Sequence, residues 1–361
     1  MRNLLLKVHL YLGLVAAVFL VILGVTGAII AFETDIDHWV HRSLWYVETR
    51  PRMLPEEDLV RAVQERFAPA RVTAIQIWRQ HDLVQVMQMS DRAAVYINPY
   101  DGAIRGRTTG QNRTQRTLGM IHQVHLRLAP DPRSMPTFSA VGKKIISFAG
   151  LFLVVLVPTG VILWWRTRRA SIKWGGSWFR ICFDAHHMIG IYAALFLFII
   201  AVTGVMIGFD FGEEAVYSLT HSAPPVFREK QPQSTLAPGA KPIGADRAAE
   251  IARGAMPEAS VAVIQLPANP KGAYNVQMRV PEETSEAVHS YVVVDQFSGQ
   301  VLKVKNFKTD SMGYRVIRFN RSIHTGDVMG TPTHILMSLS SLLLVAMVIT
   351  GVVIWWKKLA I

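Results

Sequence analysis

Leu10–Phe32 reads LYLGLVAAVFLVILGVTGAIIAF, an unbroken run without Asp, Glu, Lys or Arg. About 20 apolar residues in a helix span the hydrocarbon core of a bilayer, so this run predicts a transmembrane helix. It has no obvious small-residue cleavage site, and we expect it to be retained. Three further uncharged runs of similar length predict three more such helices: Ile145–Trp165, Ile189–Phe209 and Ile335–Trp356. Four crossings in 361 residues exclude a soluble enzyme, a disordered chain and a fibrous protein.

The net charge of +12 is concentrated beside these runs. Nine of the 38 basic residues lie in residues 1–8, 166–183 and 357–361, segments that contain no acidic residue. Cytoplasmic loops of membrane proteins carry such an excess of Lys and Arg. We therefore expect both termini and the central loop to be cytoplasmic, and the two long segments between helices to be extracytoplasmic. The charge needs no nucleic-acid partner to explain it.

The second half of the chain repeats motifs of the first, which indicates an internal duplication of a two-helix unit. Some of these motifs lie near the beginning or the end of an uncharged run, and hydrophobicity alone does not account for their residues. Their spacing agrees too, since every motif residue of the first run is separated from its counterpart in the third run by the same distance in sequence. The repeated motifs are His9-x-x-x-Gly13 with Thr26-Gly27, His186-x-x-x-Gly190 with Thr203-Gly204, Thr159-Gly160 with Trp164-Trp165, and Thr350-Gly351 with Trp355-Trp356.

Each long segment predicts an α+β module. Apolar residues at helical spacing occur at 54–67 and 243–256, and each is followed by runs of alternating polarity that predict antiparallel strands. The Pro-rich residues 223–242 predict an extended linker into the second module. The expected fold is an α-helical membrane protein with two such modules. Its predicted regions are helix 1 with the N-terminus (1–32), module 1 (33–138), helix 2 (139–166), a cytoplasmic loop (167–185), helix 3 (186–210), module 2 (211–332) and helix 4 with the C-terminus (333–361).

Two histidines occupy equivalent positions on helices one and three. His9 and His186 lie near the predicted cytoplasmic surface, and ionisable side chains at membrane depth usually face the bundle interior. Facing imidazoles can bind a haem iron from both sides, so we predict a haem here. Glycines near this pair would leave room for a macrocycle: Gly13, Gly160, Gly190 and Gly351. The alternative is that these histidines cap the interface and the glycines serve helix packing.

A second set of histidines lies towards the opposite face. His324 has a repeat partner in His122, and His125 follows His122 by three residues, so both share one helical face. We predict a second haem at this set, with Gly27 and Gly204 at its depth, and the residues alone leave His122 and His125 as alternatives. Duplicated arginines stand beside these histidines, and their alternative partners are haem propionates, lipid headgroups or surface carboxylates: Arg113, Arg116, Arg315 and Arg318.

The sequence resembles the PepSY-associated transmembrane proteins, also called iron-regulated membrane proteins, over nearly its whole length. The resemblance rests on the His-x-x-x-Gly and Thr-Gly motifs above together with Asn98-Pro-x-x-Gly102, Val124-His125-x-x-Leu128 and Ile323-His324-Thr-Gly326. The family includes inner-membrane ferric-siderophore reductases of Gram-negative bacteria that carry b-type haems. The resemblance implies an oxidoreductase that reduces ferric siderophore in the periplasm and releases iron(II). It also favours His125 over His122 as a ligand.

The resulting hypothesis is a multi-pass protein of the bacterial inner membrane with two haems b. Electrons from quinol or from a cytoplasmic reductase would cross the bilayer to a ferric siderophore. No catalytic residue is identified beyond the proposed ligands. The alternative hypothesis is a non-redox membrane protein whose PepSY-like modules bind or inhibit a periplasmic partner.

Overall fold

The computed structural model describes residues 2–225, 231–236, 239–283 and 288–359, so the predicted linker 223–242 lies partly outside the described residues. Within these ranges the α-helices are, in chain order, α1 (Arg2–Ile30), α2 (Glu33–Val40), α3 (Arg42–Trp45), α4 (Glu56–Phe67), α5 (Arg113–Arg127), α6 (Pro136–Thr167), α7 (Trp178–Gly208), α8 (Asp210–Leu219), α9 (Ala245–Ala255), α10 (Met312–Thr325) and α11 (Thr331–Leu359). The strands are β1 (Val72–Gln76), β2 (Gln85–Met89), β3 (Ala93–Ile97), β4 (Ile104–Thr109), β5 (Ser260–Gln265), β6 (Ala273–Arg279), β7 (Ser290–Asp295) and β8 (Val301–Lys305).

Among the described residues, four helices are long and apolar enough to cross a membrane, namely α1, α6, α7 and α11. They cover the four uncharged runs except for the last residues of the first and third runs, since α1 ends at Ile30 and α7 at Gly208. Each helix begins one or more turns before its run. The third helix begins at Trp178 rather than near residue 186, because Ser177 caps it by accepting a hydrogen bond from the backbone N–H of Arg180. This start shortens the predicted cytoplasmic loop.

The residues fall into two compact units. The membrane unit comprises Met1–Glu33, Arg116–Ala223 and Met312–Ile361, and it contains all four long helices. Its core is formed by leucines and by small residues such as Ala16, Ala149 and Ala193, all buried. Small side chains let helix backbones approach closely.

The sheet unit comprises Thr34–Gln115 and Pro224–Ser311. Its eight strands form one antiparallel sheet in the order β4-β3-β2-β1-β5-β6-β7-β8. The sequence predicts a separate small sheet in each module, but β1 pairs directly with β5, with Ile75 opposite Ile264. Because separate sheets would leave β1 and β5 as open edges, this pairing satisfies their backbone groups. The helices α4 and α9 pack against strands of this sheet and contact each other.

The alternating runs that predict strands correspond to β1, β2, β3, β5, β6 and β7, and β4 and β8 are additional. Both of these lie at the sheet edges, and none of their side chains is fully buried. A turn precedes each of them, with Gly102 and Gly299 at φ of +71° and +72°. Glycine adopts this left-handed conformation without steric cost.

Candidate functional site

The membrane unit brings His9 and His186 together. His9 lies on α1 and His186 on α7, and the centroids of their rings are 6.4 Å apart with the ring planes at 89°. Each ring is held through Nδ1 by a threonine of another helix. Nδ1 of His9 lies 3.0 Å from Oγ1 of Thr159, and Nδ1 of His186 lies 3.0 Å from Oγ1 of Thr350. We call these two histidines the first pair.

A second pair is formed by His125 and His324. Their ring centroids are 6.5 Å apart, with the ring planes at 53°. Nδ1 of His125 lies 2.8 Å from Oγ1 of Thr26, and Nδ1 of His324 lies 2.9 Å from Oγ1 of Thr203. The second pair therefore repeats the hydrogen-bonding arrangement of the first.

In all four cases the residue after the threonine is a glycine that leaves room for the ring. A Cβ atom built on it would lie close to Cε1 of the histidine, at 3.0 to 3.2 Å. Such distances are shorter than ordinary van der Waals contacts. The four glycine and histidine partners are Gly27 with His125, Gly160 with His9, Gly204 with His324, and Gly351 with His186.

The two remaining predicted glycines lie elsewhere around the first pair. A Cβ on Gly13 would meet only Leu156, at 3.8 Å, and one on Gly190 would meet Cε of Met347 at 3.0 Å. Both glycines line a cavity of about 700 Å³ beside His9 and His186. Pockets for cofactors and small ligands commonly have volumes of about 300–1,000 Å³.

The four histidine side chains suit a metal held from two sides. Two metal–nitrogen bonds of about 2.0 Å, extended at each end by the radius of an imidazole ring, give a centroid separation of about 6 Å. The observed separations of 6.4 and 6.5 Å agree with this distance. Within the described residues, no group of three or more His, Cys, Asp or Glu is placed to hold a metal ion. Two opposed imidazoles, however, match a metal whose other positions a macrocycle supplies, as in haem.

Burial keeps the second pair uncharged at neutral pH. It lowers the pKa of His125 to about 3 and that of His324 to about 4. A neutral imidazole retains one nitrogen lone pair, which a metal requires. The chemistry of these side chains therefore fits iron ligation.

His122 lies one turn before His125 on α5 but takes a different partner. Its Nδ1 lies 2.7 Å from Oε2 of Glu33, and both side chains are about one-third exposed. The structure thus pairs His125, rather than His122, with His324. The duplicated arginines lie on the same two helices, with Arg113 and Arg116 on α5 and Arg315 and Arg318 on α10.

The other histidines have local partners or lie outside both pairs. His41 contacts Asp37 at 3.0 Å, His334 contacts Asp327 at 2.9 Å, and Nδ1 of His187 lies 2.8 Å from the carbonyl of Phe183. His38 is buried against Trp45 in the sheet unit.

The sequence did not predict that threonines hold the histidines, and there Thr26, Thr159, Thr203 and Thr350 only mark a repeat. Their repetition was nevertheless visible, since a Thr-Gly pair occurs once in each of the four uncharged runs. Hydrophobicity alone does not explain a Thr-Gly pair that is repeated in each of these four runs.

A family model described as PepSY-associated TM region matches residues 6–358. The match covers nearly the whole chain and includes all four histidines of the two pairs. No curated protein matches the chain significantly.

Proposed function

The chain belongs to the family of PepSY-associated TM regions, which confirms the family expected from its motifs, and on that premise we propose that it is a membrane reductase with two b-type haems. The observation that carries the proposal is the presence of two opposed histidine pairs, each at a spacing that suits a shared iron. A haem bound at each pair supplies a one-electron couple between iron(II) and iron(III).

The residues of the chain have three roles in this proposal. The histidines bind, two to each iron. The threonines orient the histidine rings, and the glycines leave room for them. The helices α1 and α7 connect the two pairs, since His9 and Thr26 both lie on α1, and His186 and Thr203 both lie on α7 with the same separation in sequence. That separation corresponds to about 26 Å along a helix, roughly the thickness of the bilayer core.

The proposed reaction is the reduction of a ferric siderophore in the periplasm. One electron converts the bound iron(III) to iron(II), which siderophores hold far less tightly, and the iron leaves. The electron comes from quinol or from a cytoplasmic reductase. A ferric siderophore is bulky and polar, so we expect it to be reduced at the second pair, towards the periplasm, where His125 and His324 would hold a haem.

The proposal includes an internal duplication. Each half contains, in the same order, a long helix, two or three shorter helices, four strands, an amphipathic helix and a second long helix. The sheet order is symmetric about the β1–β5 junction. These features support two copies of one unit.

The proposed location is the bacterial inner membrane with the sheet unit in the periplasm. It rests on the nine basic residues in three segments that contain no acidic residue. Reporter fusions at Ser171 and at the C-terminus are expected to read cytoplasmic, and fusions near Gly102 and Gly299 periplasmic. A periplasmic C-terminus would overturn this orientation.

The decisive experiment is the absorption spectrum of protein purified from haem-replete cells. We expect a b-type spectrum that responds to dithionite, with two haems per chain. The reduced protein mixed with ferric siderophore is expected to reoxidise and to yield iron(II), trapped by ferrozine. A colourless protein would instead favour a non-redox role for the sheet unit, such as binding a partner.

A further inference from the structure

We propose that the four Thr-Gly pairs are histidine seats: each threonine fixes its histidine as the Nδ1–H tautomer, so that Nε2 becomes the metal-binding nitrogen. The metal-binding part of this inference rests on the proposed function. The tautomer part rests on the hydrogen bonds of the chain alone. The threonines are thus positioning residues, which act through the histidines.

The first step concerns the hydrogen of each threonine hydroxyl. All four hydroxyls lie within hydrogen-bond distance of the backbone carbonyl four residues earlier in the same helix. The oxygen–oxygen distances are 2.6 Å for Thr26 to Ile22, 2.8 Å for Thr159 to Val155, 2.7 Å for Thr203 to Ile199 and 2.8 Å for Thr350 to Ala346. A carbonyl oxygen can only accept, so in each case the threonine donates.

The second step follows from the inventory of a hydroxyl group, which has one hydrogen and two lone pairs. With its hydrogen given to the carbonyl, each threonine oxygen can only accept from the histidine. Nδ1 must therefore carry the proton. In a neutral imidazole this leaves the lone pair on Nε2. The geometry of His186 supports this, because its Nδ1 also lies 3.1 Å from the carbonyl of Met347, another acceptor.

The third step concerns how strongly each threonine hydroxyl accepts the hydrogen bond from its histidine. Ligating histidines usually donate their second nitrogen to a carboxylate, carbonyl or water, which fixes the ring and raises its basicity. A hydroxyl is a neutral and weaker acceptor than a carboxylate. The seats therefore orient the rings while adding little electron density to the metal, and they place no charge at membrane depth, where charge is costly.

The fourth step is that each seat joins two helices. Thr159 on α6 holds His9 of α1, and Thr203 on α7 holds His324 of α10. A ring so held cannot rotate without losing its hydrogen bond to the neighbouring helix. The seat thus aims Nε2 before any metal binds.

The test compares Thr159→Val, which removes the acceptor at nearly constant volume, with Thr159→Ser, which retains it. The same exchange at Thr203 tests the second pair. A matched control is Ser340→Ala, because the hydroxyl of Ser340 makes the same bond to a carbonyl, that of Leu336, at a position outside the four seats.

In protein labelled with ¹⁵N-histidine, we expect the nitrogen shifts of the wild type to report Nδ1–H for the seated rings. The valine variant should lose that preference for one histidine, and the serine variant should restore it. Haem affinity at the altered pair should fall about tenfold, at the lower end of the range for residues behind metal ligands. The midpoint potential of that haem should rise only slightly, because a neutral hydroxyl adds little to the basicity of the ligand, and that of the other haem should be unchanged.

The inference is overturned if the valine variants keep the wild-type tautomer, affinity and potential, or if the seated rings carry their proton on Nε2. A wild-type protein that takes up no haem would refute the proposed function. The nitrogen shifts of that same protein would still decide the seats.

Discussion

The two histidine pairs are built from the same parts, but the helices exchange roles between them. In the first pair the histidines lie on α1 and α7, and the threonines on α6 and α11. In the second pair α1 and α7 supply the threonines, and the histidines lie on the shorter helices α5 and α10. Each of α1 and α7 therefore holds a histidine near one end and a seat near the other. The comparison shows how one helix can fix the positions of two sites.

Because the helices exchange roles, the two pairs also differ in what fixes the positions of their histidines. Both histidines of the first pair belong to long apolar helices, whose depth the bilayer determines. Those of the second pair belong to amphipathic helices of 15 and 14 residues, which are not among the spans. Hydrogen bonds to Thr26 and Thr203 tie these rings to the spanning helices. We therefore expect the second pair to depend more on its seats than the first does.

The largest expected effect is the loss of one complete haem on removal of a ligand. His9→Ala and His186→Ala should each remove the same haem, because both side chains are proposed to bind one iron. His125→Ala and His324→Ala should remove the other. The measurements are haem content per chain and the spectrum of the remaining haem.

His122→Ala is the matched control, because His122 shares a helix face with His125 but contacts Glu33. It should retain both haems. Two haems in His9→Ala or in His186→Ala would contradict the shared ligation, as would the loss of a haem in His122→Ala together with its retention in His125→Ala.

The sequence was sufficient to predict the spanning helices and the composition of the first pair, because long uncharged runs and a repeated His-x-x-x-Gly are strong local signals. It left His122 and His125 open, since they share one face of α5 and only a tertiary contact distinguishes them. It did not predict that β1 and β5 join, because strands from opposite halves of the chain meet through backbone groups that any residue supplies. The seats were also missed, since the role of each threonine appears only when another helix packs beside it.

A smaller effect on haem binding is expected when the glycine of a seat is replaced by alanine, which leaves less room for the histidine ring. Gly204→Ala places a Cβ 3.0 Å from Cε1 of His324, and Gly160→Ala places one 3.1 Å from Cε1 of His9. The ring must then shift by a few tenths of an ångström. Overpacking costs about 1–3 kcal/mol, so haem affinity should fall about tenfold at the altered pair alone. Haem titration of the purified variants measures it.

Gly150→Ala is the control for this exchange, because its Cβ would lie at an ordinary 3.6 Å from Cγ2 of Val205. Alanine is favoured over glycine in a helix by roughly 1 kcal/mol, so this variant should be as stable as the wild type or more so, with both haems present. A greater loss of affinity in Gly204→Ala than in Gly160→Ala would indicate that the second pair depends more on its seats. Equal losses of haem affinity in the two variants would contradict the expectation that the second pair depends more on its seats.

A substitution in the sheet unit, which contains neither pair, is expected to have the smallest effect on haem content. Glu56 begins α4, and burial, with a smaller contribution from Asp246, raises its pKa to about 7. Its Oε1 accepts from Gln85 at 2.9 Å, whereas its buried Oε2 has no hydrogen-bond partner among the described residues. The protonated form is therefore preferred in the folded state.

The sign of the pH dependence follows from this raised pKa. The contribution of Glu56 to stability is fully present below pH 4.5, its ordinary pKa, and is lost as the pH rises through about 7. Glu56→Gln removes the ionisation, so at pH 8 the variant should be more stable than the wild type by about 1–2 kcal/mol, allowing for residual exposure. Thermal unfolding from pH 4 to pH 8 measures the difference, with the exposed Glu65 of the same helix as the control, Glu65→Gln. Haem content should not change, because all four histidines of the two pairs belong to the membrane unit. A change in haem content without a change in the pH profile would show that Glu56 acts on the histidine pairs rather than on the stability of the sheet.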